Sequence, residues 1–199
     1  MQYRYYVFGD SHSPSFGIPG DILGSPTGPI TMYMISNAND SVYIDTYNLM
    51  IREQKCSWDK PWIISAGEID CRSLIYKQIT EKGRDEDEVI NSLVTNYINR
   101  LISVNSNTLV TTICPPVKEF NPNDTYPTRG SLEERARYVK KMNNKLIEIC
   151  EDNNVTLINH YKYYADENGC MDLKYAPDNV HIRDNFGILQ AYKDVGILT

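Results

Sequence analysis

Phe8-Gly9-Asp10-Ser11-His12-Ser13 sets a serine directly behind the first apolar run of the chain, Tyr5-Tyr6-Val7-Phe8. Two distant segments answer it. Gly67-Glu68-Ile69-Asp70-Cys71-Arg72 follows the run Trp62-Ile63-Ile64-Ser65-Ala66, and Asp178-Asn179-Val180-His181 lies near the end. Apolar runs near 2–8, 60–66, 108–114 and 154–159 read as strands. They alternate with helical patterns, as βαβ units on a mostly parallel sheet do. Ligands of open α/β sheets bind outside the carboxyl ends of the strands, so Ser11 and Gly67 fall on one rim. Asp178 and His181, three apart, can share one side of a helical turn. There the carboxylate can hold one imidazole nitrogen while the other faces a serine.

The rest of the chain bounds this reading. With 199 residues, 41% of them hydrophobic, residues 1–199 are expected to form one domain with a full core. A formal charge of -6 and the lack of any basic run argue against nucleic acid as a partner. Cys56, Cys71, Cys114, Cys150 and Cys170 are odd in number and scattered, with no zinc-ligand spacing, and read as free thiols in a reducing compartment. No signal-peptide pattern and no membrane-length apolar stretch is visible, so a cytoplasmic location without a membrane partner is expected.

Two helices have explicit signals. Val89, Ile90, Leu93, Val94, Tyr97, Ile98, Leu101 and Ile102 form one stripe at 3.6-residue spacing, behind an acidic start at Asp85, Glu86 and Asp87. Ser131-Leu132-Glu133-Glu134 fits a capping box, opening a helix through Val139, Met142 and Leu146 to about Asp152. Pro14 to Gly28 and Pro115 to Gly130, rich in turn residues, read as loops. Met32 to Gln54 reads as helix with room for a short strand inside it.

A serine hydroxyl is a weak nucleophile until a base accepts its proton and a third group orients that base. Ser11, His181 and Asp178 can fill those roles. Their chain order is that of α/β-hydrolases, but the Gly-x-Ser-x-Gly elbow is absent because Ser13 stands where the second glycine belongs. The three blocks instead resemble the SGNH, or GDSL-type, hydrolases: Gly9-Asp10-Ser11 matches the first block, Gly67-x-x-Asp70 part of the third and Asp178-x-x-His181 the last. The resemblance spans nearly the whole chain. It implies a three-layer α/β/α flavodoxin-like sandwich, with Ser11 as nucleophile, His181 as base and Asp178 as its orienter.

The resemblance also implies an oxyanion hole that includes the backbone N–H of Ser11 and a glycine N–H. Gly28 is the candidate glycine, Gly24 its alternative, and Gly67, on the same rim, is a further candidate donor. Family members usually carry Asn where this chain has Ile69, which cannot donate; losing such a donor slows turnover by roughly 10² to 10³. Arg72 either replaces that donor or binds an anionic group of the substrate, or it pairs with Glu68 or Asp70 and fixes the loop. Asp10 is read as fixing the nucleophile turn, His12 as structural, His160 as a rim or core histidine, and the run Tyr161 to Tyr164 as a packing surface, with a sugar-stacking platform the alternative.

The activity so implied is hydrolysis of short acyl esters, acetyl groups on carbohydrates among them, without metal or cofactor. The substrate is then a small-molecule or glycan ester. Acyl transfer to a sugar hydroxyl would use the same machinery. Two other classes compete. A calcineurin-like metallophosphatase is suggested by Asp10-x-His12 and Gly67-x-x-Asp70-x-Arg72, but its spacing fails and no Gly-Asn-His block follows. A non-catalytic binding protein of the same fold is kept open by Ile69.

Overall fold

The computed structural model describes residues 3–26, 28–37, 60–118, 126–178 and 180–199. Five strands form one sheet: β1 (Tyr5–Gly9), β2 (Ile22–Pro26), β3 (Trp62–Ser65), β4 (Thr108–Thr111) and β5 (Leu157–Ile158). All pairings are parallel, in the order β2-β1-β3-β4-β5. This is the flavodoxin-like order, whose direction of winding reverses between β1 and β3.

Side chains alternate across the sheet with the period of two that a strand imposes. Tyr6, Phe8, Trp62 and Ile64 point to one face. Val7 and Ile63 point to the other. On the first face pack α1 (Met32–Asn37), α2 (Glu86–Val104) and α3 (Leu132–Asp152), through Met32, Val94, Tyr97, Tyr138 and Leu146. On the second pack α4 (Tyr161–Tyr164) and α5 (Phe186–Asp194), through Tyr164, Ile188 and Tyr192. The result is the expected three-layer α/β/α sandwich. Its helix starts follow the sequence signals: Asp85 accepts from the N–H of Glu88, and Ser131 and Glu134 form the reciprocal capping box.

Three elements depart from the sequence reading. Residues 14–28 are not all loop: a 3₁₀ turn (Ser13–Phe16) precedes edge strand β2. Ile22-Leu23-Gly24-Ser25-Pro26 hides its strand character because pairing with β1, not side-chain propensity, makes it one. Gly24 is required there, since a Cβ would lie 2.7 Å from the Ser13 carbonyl oxygen. A helical stretch with two π segments, Asp70–Leu74 and Lys77–Glu81, was not anticipated. Of the helix expected over Met32 to Gln54, Met32–Asn37 is observed and the remainder lies outside the described residues. Residues 119–125 of the second expected loop also lie outside them.

The four described cysteines, Cys71, Cys114, Cys150 and Cys170, are free, and Cys56 lies outside the described residues. Among the described residues, no helix is long and apolar enough to cross a membrane.

Candidate active site

Ser11 follows β1 and Gly67 follows β3, so the two segments meet where the winding reverses. Backbone packing explains their glycines. A Cβ on Gly9 (φ +149°) would stand 1.7 Å from the Ser65 carbonyl oxygen, so only glycine lets β1 end so close to β3. Gly67 (φ +115°) turns the chain away from β3, and a Cβ there would lie 2.7 Å from Ile113 and Met32.

Asp178 and His181 reach the same rim from the far end of the chain. They sit in a side-chain-capped turn rather than the helical turn expected, because the Asp178 carboxylate takes over the bonding of the local backbone. Asp178 Oδ1 accepts from the N–H groups of Val180 (3.1 Å) and His181 (2.7 Å). Oδ2 accepts from Arg183 at 2.9 Å and lies 2.9 Å from His181 Nδ1. The opposite ring nitrogen, His181 Nε2, lies 2.8 Å from Ser11 Oγ. Burial would raise the Asp178 pKa, but the His181 and Val180 contacts and Arg183 hold it well below the ordinary carboxylate value. With Asp178 ionised, Nδ1 carries the proton and Nε2 offers its lone pair to the serine hydroxyl.

His12 does more than the sequence suggested. It is buried, with Nδ1 3.1 Å from Asp10 Oδ1 and Nε2 2.9 Å from the Val180 carbonyl oxygen. Both neighbours accept, so both ring nitrogens donate and the ring is an imidazolium paired with Asp10. Burial opposes that charge, but Cys114 and Asp10 outweigh it and raise the pKa well above the ordinary histidine value. Asp10 also accepts from the His12 backbone N–H at 2.9 Å, which holds the Ser11 turn. Ser15 Oγ donates to the Ile182 carbonyl oxygen at 2.8 Å, so the Ser11 turn and the His181 loop are tied at two further points. No sequence signal points to this bridge, because His12 and Val180 are 168 positions apart.

The remaining sequence candidates divide. The backbone N–H groups of Ser11, Gly28 and Gly67 meet no acceptor among the described residues. Gly24, the alternative oxyanion donor, lies inside β2. Ile69 is buried. Arg72 pairs with Glu68: its Nε donates to Glu68 at 2.6 Å and its Nη1 to the Tyr126 carbonyl oxygen. Asp70 is fully buried and accepts from the N–H groups of Met32 (2.8 Å) and Tyr33 (3.3 Å), which caps α1. Burial raises it to about 7, against the pull of those two N–H groups and with help from the Asp10 charge.

His160 is a core histidine at 3.1 Å from Thr112 Oγ1, pushed down to about 3 by burial. Tyr164 packs in the second core with its hydroxyl on the Asp184 carbonyl oxygen. Among the described residues, no three His, Cys, Asp or Glu side chains gather as metal ligands would.

No protein-family profile and no curated protein matches this sequence. Solved structures match its shape. A GDSL-like lipase from Bacteroides thetaiotaomicron superposes with TM-score 0.57 at 16% identity, over 98% of this chain and 87% of that one. Est24, a carbohydrate acetylesterase from Sinorhizobium meliloti, gives 0.57 at 13% identity over 100% of both chains. The acetyl xylan esterase AlAXEase gives 0.53 at 13% identity, over 98% and 100%. At these identities the likeness establishes the fold: this chain has the architecture of the GDSL-like structures.

Proposed function

We propose that this chain is a serine esterase of the SGNH type, acting on short acyl esters through an acyl-enzyme on Ser11. The observation that carries the reading is the hydrogen-bonded run Ser11 Oγ, His181 Nε2, His181 Nδ1, Asp178 Oδ2, with links of 2.8 and 2.9 Å. Ser11 Oγ attacks the ester carbonyl while its proton passes to His181 Nε2. Asp178 stabilises the imidazolium that forms. His181 returns the proton to the departing alkoxide, the alcohol leaves, and Ser11 Oγ keeps the acyl group. Water then adds, giving its proton to His181; the acid departs and the serine regains its hydrogen.

The negative oxygen of the tetrahedral intermediate falls to the N–H groups of Ser11, Gly28 and Gly67, which compete for no other acceptor among the described residues. The fold places ester-handling structures among its neighbours in shape, two of them described as acting on acetylated carbohydrates. That supports a glycan or small-molecule acetyl ester as substrate, with acyl transfer to a sugar hydroxyl the alternative outcome of the same acyl-enzyme.

Hydrolysis of 4-nitrophenyl esters of graded acyl length tests the reading. Acetate is expected to be favoured, and Ser11→Ala and His181→Ala are each expected to lower kcat by roughly 10⁴ or more, with KM little changed. Equal rates in wild type and Ser11→Ala would reject it.

A further inference from the structure

One buried charge has no ion-pair partner among the described residues. Arg135, near the start of α3, is 7% exposed, forms no ion pair among the described residues, and its Nε has no hydrogen-bond partner. The bond it does make, from Nη1 to the Val117 carbonyl oxygen, is long at 3.4 Å. A guanidinium taken out of water with no carboxylate and one long hydrogen bond is unfavourable. Arg72, by contrast, is held by Glu68 and Tyr126. Burial lowers the Arg135 pKa, with Glu68 opposing and Arg72 adding to the fall.

Arg135 lines a cavity of about 30 Å³ whose walls also hold Arg72, Glu68, Thr128 and Val180. A single water needs roughly 10 to 15 Å³, so the cavity has room for two oxygens on one centre, not for a sugar ring. Val180 precedes His181 and accepts from His12, so the cavity backs onto the loop that carries His181.

We propose that this cavity, with Thr128 in its wall, is an anion subsite in which Arg135 receives a carboxylate carried by the ester substrate. The inference rests on the esterase reading above, and it narrows the substrate to an anionic ester. The carboxylate can belong to the acyl group, as in a half-ester of a dicarboxylic acid, or to the alcohol, as in an acetylated uronic acid.

Two measurements test it. In the first, kcat/KM is compared for wild type and Arg135→Gln on 4-nitrophenyl acetate, a 4-nitrophenyl half-ester of a dicarboxylic acid, O-acetylglucuronate and O-acetylglucose. One carboxylate-bearing ester is expected to exceed its neutral counterpart by roughly 10- to 100-fold, as for a hydrogen bond to a charged group. Arg135→Gln should erase that preference and leave 4-nitrophenyl acetate unchanged. The half-ester and the uronate arms say which side bears the charge.

The second measurement needs no chemistry. Melting temperatures of Ser11→Ala and Ser11→Ala/Arg135→Gln are recorded with glucuronate and with succinate. A rise that depends on Arg135 is expected, and without ligand the double variant should melt no lower than Ser11→Ala, because it removes a buried charge that forms no ion pair among the described residues. If no ester is turned over yet the Arg135-dependent rise persists, the esterase reading fails and the subsite stands. No preference and no rise, or an Arg135→Gln protein that melts lower and responds to neither ligand, would overturn the subsite.

Discussion

Both ring nitrogens of His12 face acceptors, so this side chain is charged in the interior and ties the Ser11 turn to the Val180 carbonyl. Removing it strands Asp10, itself buried, without its partner. Breaking a buried pair on one side costs about 3 to 5 kcal/mol. His12→Ala is therefore expected to lower stability by about 3 kcal/mol in chemical denaturation. The pH dependence has a definite sign. The folded value is raised, so the stabilisation is complete below about pH 6.5, the ordinary value, and fades as pH rises through the raised one. Melting curves from pH 6 upward should show an alkaline fall in wild type that His12→Ala lacks. The same fall in both would show that His12 is not the group responsible.

Helix α1 begins on a carboxylate supplied by another element, since Asp70 accepts from Met32 and Tyr33. Burial raises Asp70 to about 7, so between about pH 4 and 7 the folded chain retains a proton that the unfolded chain has released. Stability contributed here falls as pH rises across that window. Asp70→Asn keeps an acceptor for the α1 N–H groups and removes the titration. Its stability should depend less on pH between 4 and 7 than that of wild type, as read by urea midpoints; an unchanged slope would contradict this.

The elements differ in how openly the chain announces them. α2 and α3 are legible because an apolar stripe and a capping box are local patterns. β1, β3, β4 and β5 are legible as apolar runs, though β4 and β5 are shorter than those runs suggest. β2 is not, because Gly24 and Pro26 argue against a strand and only pairing with β1 makes one. The π segments are invisible for a similar reason: nothing in Asp70–Leu74 distinguishes i+5 bonding from i+4.

Across the whole molecule, the winding reversal between β1 and β3 opens the rim, and the last turns of the chain close over it. Ser11 bonds His181, His12 bonds Val180, Ser15 bonds Ile182, and Tyr192 donates to the Phe16 carbonyl oxygen at 2.7 Å. The residues that meet at 2.8 and 2.9 Å were legible, since Ser11, Asp178 and His181 carry recognisable chemistry at recognisable ends of the chain. The supporting contacts were not. That His12 reaches Val180 and that Arg135 is buried with only a long bond to the Val117 carbonyl depend on tertiary neighbours, whereas the Arg72–Glu68 pair, four residues apart, is one of the alternatives the sequence offers.

The central claim is that Ser11 is made nucleophilic by His181, and reaction with a fluorophosphonate probe, followed by intact-protein mass spectrometry, tests it most directly. One adduct on wild type, mapped to Ser11, none on Ser11→Ala and strongly slowed reaction on His181→Ala are predicted. An adduct that persists in Ser11→Ala, or a folded wild-type protein that takes up no probe, would contradict it.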